Sequence, residues 1–71
     1  MNIPKGFKVS STGMACSNDP QLGGIIDSEI VSGLWFIIFN DDDLEMITGL
    51  KTQEEAFKVF TDNINAKYWT E

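Results

Sequence analysis

Apolar and polar positions alternate over residues 6–10, GFKVS, with Phe7 and Val9 on one side and Lys8 and Ser10 on the other. A period of two predicts a short, half-buried edge strand whose lysine guards the edge. Over residues 11–24, STGMACSNDPQLGG, the period is lost. Small and turn-forming residues dominate, Asp19 precedes Pro20, Gly23 and Gly24 are adjacent, and the stretch predicts a loop. From 25 to 48 apolar runs return, interrupted at Ser32-Gly33 and at Asn40 to Asp43, which predicts a three-stranded meander.

The two interruptions suggest a register. A two-residue turn at Ser32-Gly33 pairs Val31 with Leu34, Ile30 with Trp35, Ser28 with Ile37 and Ile26 with Phe39. At the second turn, either a two-residue loop at Asp41-Asp42 or a four-residue loop from Asn40 to Asp43 pairs Phe39 with Leu44 and Ile37 with Met46. A three-residue loop would place Glu45 opposite Phe39 on the apolar side. One face then carries Ile26, Ser28, Ile30, Trp35, Ile37, Phe39, Leu44 and Met46. The other carries Asp27, Glu29, Val31, Leu34, Phe36, Ile38, Glu45 and Ile47.

Thr52-Gln53-Glu54-Glu55 has the form of a capping box, in which the threonine hydroxyl accepts from the Glu55 N–H and the Glu55 carboxylate reaches back to the Thr52 N–H. Phe57, Phe60, Ile64 and Tyr68 then recur at spacings of three and four with Ala56 alongside, predicting an amphipathic helix over 52–66. One helix of about four turns covers one face of a small sheet. The expectation is an α+β fold: a small antiparallel sheet of three to four strands in meander order, with one C-terminal helix packed on one face. Residues 1–71 are expected to form a single domain.

The second face is the anomaly in this layout. Leu34, Phe36, Ile38 and Ile47 would form an apolar strip bordered by Asp27 and Glu29 on one side and Glu45 on the other, with Asp41 to Asp43 at a hairpin end. An apolar strip with a polar rim has the character of an interaction surface. The alternative is that the 11–24 loop, the first strand or Tyr68-Trp69 folds over it.

Charge sharpens the reading. Eleven acids against five lysines give a net charge of -6. Between Lys8 and Lys51 lie seven acids, Asp19, Asp27, Glu29, Asp41, Asp42, Asp43 and Glu45, and no base. Such a field repels nucleic acid and lipid headgroups and steers basic partners inward. Acidity also keeps a small protein soluble, and aspartates at a hairpin tip suit tight turns and oppose edge-to-edge aggregation.

Candidate chemistry is sparse. A domain of 71 residues buries only about 60% of its unfolded surface, leaving one small core. The single Cys16 has no internal disulfide partner, and without histidine a zinc site would need carboxylates almost alone. No metal or cofactor is expected. Neither Cys16 nor Ser10, Ser11 or Thr12 has a histidine to activate it, and Asp41 to Asp43 lack an enclosing pocket to separate two pKa values, so no catalytic residue is assigned. NDDDLEMITGLK has neither the glycine at position six nor the glutamate at position twelve of an EF-hand loop. Phe36 with Leu34 and Ile38 could stack bases, but the acidic rim denies phosphates a positive groove. The stretch MNIPKGFKVSS has no apolar core of a signal peptide, and no run approaches the roughly 18 apolar residues of a membrane helix. A cytoplasmic protein without membrane contact is expected.

In size, acidity and α+β layout the chain resembles, in type and without a shared motif, the phage-encoded inhibitors of host defence, including anti-CRISPR proteins and DNA mimics. The expected function is that of a noncatalytic acidic binding protein occupying a basic, normally nucleic-acid-binding surface of a larger protein. Asp27, Glu29, Phe36, Ile38, Asp41, Asp42, Asp43 and Glu45 are the expected contact residues. The alternative is a structural module that forms a homodimer through the exposed sheet face.

Overall fold

The computed structural model describes residues 3–69. The expected single unit over 1–71 also takes in residues 1, 2, 70 and 71, which lie outside the described residues. Five strands, β1 (Lys8–Val9), β2 (Ala15–Ser17), β3 (Gly24–Ser28), β4 (Trp35–Phe39) and β5 (Ile47–Leu50), form an antiparallel sheet in the order β1-β2-β3-β4-β5. Among the described residues a single helix, α1 (Gln53–Tyr68), packs on one face against β3, β4 and β5. No helix among the described residues is long and apolar enough to cross a membrane.

The sheet has one more strand than the pattern predicts because the 11–24 segment is not all loop. Ala15–Ser17 pair with Gly24–Ile26 on one side, and Ala15 and Cys16 pair with β1 on the other. ACS has no long side chains to alternate, yet Ala15 is fully buried in the core. Gly24 is tighter still. A Cβ there would stand 2.3 Å from the Ile38 carbonyl oxygen and 3.2 Å from Phe60, so the β3–β4–α1 contact requires glycine.

The β3–β4 register is two residues off the expected one. Ile26 faces Ile37, Ser28 faces Trp35 and Gly24 faces Phe39, and the turn runs over residues 29–34. A shift of two preserves the facing of each strand residue. Ile26, Ile37 and Phe39 are accordingly buried, and Trp35 is half-buried against the same core. Ile30 and Val31, expected in the strand, lie in the turn instead, so Ile30 contributes nothing to the core.

At the β4–β5 connection the shift is odd and its consequence is larger. Ile37 faces Ile47, not Met46, after a loop of residues 40–46. Ile47 therefore packs against the core, while Met46 is 60% exposed. Leu44 still packs against the core, but from the loop. The pairing then slips, since Trp35 faces Leu50: β5 advances three residues where β4 advances two, with Gly49 at φ +77° taking up the extra one.

Phe60 is the centre of the core. Its ring stacks on Phe39 with centroids 5.0 Å apart and meets Phe7 edge-on at 4.8 Å, with Ala56, Phe57 and Ile64 buried along the same stripe. Thr52 caps the helix as expected, its hydroxyl accepting from the Glu55 N–H at 3.0 Å. The return bond differs: Glu55 Oε1 accepts from the Lys51 N–H at 2.7 Å rather than from Thr52. The helix runs to Tyr68, two residues past the expected end, with Glu54 and Glu55 in its first turn and Lys67 in its last, both favourable to the helix dipole.

Candidate interaction surface

The helix leaves one sheet face uncovered among the described residues. Strand alternation places Ile25, Asp27, Phe36 and Ile38 on it: Ile25 lies opposite Ile38 and Asp27 opposite Phe36. Ile25 and Ile38 are exposed, Phe36 and Asp27 are half-buried, and Leu34 is exposed just before β4. Ile25 thus joins the strip from the β3 side of β4, while Ile47, expected in the strip on the β5 side, packs against the core. Lys8 and Cys16 continue the Ile25–Ile38 row across β2 and β1, so a cation stands at one edge of a face that looks purely acidic in sequence.

The charged residues divide between the two ends of the sheet. Asp27 and Glu29 lie towards the 29–34 turn, and Asp41, Asp42, Asp43 and Glu45 lie in the loop at the far end of β4. The five residues of β4 set these ends roughly 13 Å apart, at about 3.3 Å per step. The 18–23 loop joins the second group. Asn40 Nδ2 donates to the Ser17 and Asp19 carbonyls, both at 2.9 Å, and the Asn40 N–H donates to the Gly23 carbonyl at 3.1 Å. Asp19 Oδ1 accepts from the Gln21 N–H at 2.9 Å and the Leu22 N–H at 2.7 Å. The Leu22 and Gln21 donors lower the Asp19 pKa.

The three aspartates are not equivalent. Asp41 has a side chain only 10% exposed. It accepts from the ammonium of Lys67 and the phenol of Tyr68, and its other oxygen accepts from the Asp43 N–H at 2.9 Å. The Lys67 ammonium, then Tyr68 and the Asp43 N–H, hold the Asp41 pKa down to about 2. Lys67 in turn is raised, because the Asp41 carboxylate holds its charged ammonium, and Tyr68 is raised because losing its proton would set a phenolate against the Asp41 anion. Asp43, 83% exposed, also meets Lys67 at 3.2 Å, whereas Asp42 and Glu45 are exposed.

Sequence distance hid this cluster, since Lys67 and Tyr68 lie 26 and 27 positions from Asp41. The available signal was Lys67 one turn beyond the apolar stripe of a helix returning along the sheet. Of the eight expected contact residues, the fold groups Asp27, Phe36 and Ile38 on the open face, sets Glu29 at one end, and sets Asp42, Asp43 and Glu45 at the other. Asp41 is turned to an internal task. Comparison with family models, with curated proteins and with solved structures finds no match for this chain.

Proposed function

We propose that this protein is a noncatalytic, cytoplasmic binding protein that occupies a basic, normally nucleic-acid-binding surface of a larger protein, as inhibitors of the phage anti-defence type do. The observation that carries the reading is the uncovered sheet face, apolar through Ile25, Phe36 and Ile38, with carboxylates at both of its ends. Carboxylates stand in for phosphates and the apolar middle adds anchoring that a nucleic acid lacks. The phosphate-like role falls first to Glu29, Asp42 and Glu45, with the exposed Asp43 sharing Lys67 at 3.2 Å, because the charge of Asp41 is already answered by Lys67.

The test is capture of a partner with the tagged protein from its native host, followed by competition. The captured partner loses labelled nucleic acid as this protein is added, and binding that persists at saturation overturns the reading. Neutralising Asp42, Asp43 and Glu45 to their amides slows association and flattens its salt dependence, while Phe36→Ala speeds dissociation.

A second reading, a homodimer through the open face, draws on the exposure of Ile25 and Ile38. Sedimentation across concentration separates the two: a monomer at high concentration supports a hetero-partner, and a tight dimer lost in Ile38→Ser supports self-association.

A further inference from the structure

Ile30 and Val31 stand at the tip of the β3–β4 hairpin, 100% and 101% exposed. Branched apolar residues are poor turn formers, and this turn does not use their side chains. The Glu29 N–H donates to the Leu34 carbonyl at 2.8 Å, the Gly33 N–H to the Glu29 carbonyl at 2.9 Å, and the Leu34 N–H to Ser32 Oγ at 3.2 Å. Gly33, at φ +73°, supplies the left-handed residue the turn requires. Polar residues at 30 and 31 would close the same turn, so no packing among the described residues accounts for these two. The tip is locally braced and stands clear of the core, which is how an apolar anchor is offered to a concave site at low ordering cost.

Charge identifies the kind of site. The hairpin tip shares its end of the molecule with the start of α1, because Leu50 faces Trp35. Asp27 and Glu29 lead into the tip, and Lys51, Glu54 and Glu55 stand at the start of α1. A second copy is the poorer match in charge: it carries a net charge of -6, its Lys67 is held by Asp41 and Asp43 and its Lys58 by Asp62, and Lys5, Lys8 and Lys51 are what it has left to offer. A basic protein surface is the better match.

We propose that the β3–β4 hairpin is an insertion finger: Ile30 and Val31 enter an apolar pocket of a partner protein, and Glu29 and Asp27 meet lysine or arginine side chains on its rim. The finger rests on the binding-protein reading for the basic character of its partner.

Photo-crosslinking in the native host tests it, with Val31→benzoylphenylalanine as the probe. The expected result is one discrete product, crosslinked at an apolar segment flanked by lysine or arginine. With that partner purified, Ile30→Ser/Val31→Ser weakens binding roughly tenfold or more, Glu29→Lys weakens it also, and neither changes the melting temperature. No discrete product, a crosslinked dimer of this chain, or unchanged affinity of the double variant overturns the finger. Sedimentation of the wild type, but not the double variant, with phosphatidylcholine vesicles also overturns it and reassigns the tip to a lipid surface. If Phe36→Ala weakens the complex and the tip variant does not, the finger fails while the binding reading stands. If the tip variant weakens it but the partner's nucleic-acid binding is untouched by this protein, the finger stands and the mimic reading fails.

Discussion

The phenol of Tyr68 donates a hydrogen bond to the Asp41 carboxylate, joining the last turn of α1 to the β4–β5 loop. Lys67 doubles the connection. The helix is thus tethered at both ends: at its start Gln53 Nε2 donates to the Gly13 carbonyl at 2.8 Å, beside the caps made by Thr52 and Glu55, and at its finish Lys67 and Tyr68 hold Asp41.

Asp41→Asn removes the ionic half of this fastening, and the melting temperature falls. The effect depends on pH with a definite sign. The Asp41 pKa is about 2 in the folded protein against 3.8 unperturbed, so its contribution is complete above about pH 4 and is lost as the pH falls towards about 2. Urea midpoints followed between about pH 5 and about pH 2 drop more steeply for the wild type than for Asp41→Asn. Asp19, whose pKa is also lowered, leaves a residual acid dependence in the variant.

Thr52→Ala removes the acceptor for the Glu55 N–H and costs about 1 kcal/mol. Glu55→Gln keeps an oxygen for the Lys51 N–H and costs less. Denaturant unfolding of the two variants gives that order, and an unchanged Thr52→Ala would place the start of the helix elsewhere.

Gly24→Ala drives a methyl group into the Ile38 carbonyl, where backbone cannot yield as a flexible side chain would. Overpacking of this kind costs about 1–3 kcal/mol or more. A chain of this size has roughly 4–10 kcal/mol of stability in all, so the variant is expected to be partly unfolded at physiological temperature by circular dichroism.

Met46→Ser and Ile47→Ser test the register of β5. Met46 points to solvent and its replacement changes stability by no more than about 0.5 kcal/mol. Ile47 packs against the core and its replacement costs about 1–3 kcal/mol. The reverse order in thermal melts would restore the register that the turn residues suggest.

The α+β class and the covering helix were legible because they depend on local periodicity: Phe57, Phe60 and Ile64 share a stripe whatever the sheet does, and Thr52 caps from three residues away. The facing of β3 and β4 was legible for the same reason, since an error of two residues leaves Ile26, Ile37 and Phe39 on one side. β2 was not, because ACS is too short and too small to carry a period, and pairing on both sides is what makes it a strand.

What the sequence determined by itself was therefore the inventory: a helix with an apolar stripe, apolar strands with two turns, and a base-free acidic segment from Lys8 to Lys51. Tertiary structure decided which charges stay free. Electrostatic neighbours are set by distance in space, and the antiparallel return of α1 carries Lys67 and Tyr68 to Asp41, while the sheet carries Lys8 into the row of Ile25 and Ile38. It also decided that Ile47 rather than Met46 is buried, because loop length fixes register and a shift of one residue reverses every side chain. Ile30 and Val31 were left outside on the same account: closing the hairpin two residues earlier moved them from the strand to its tip.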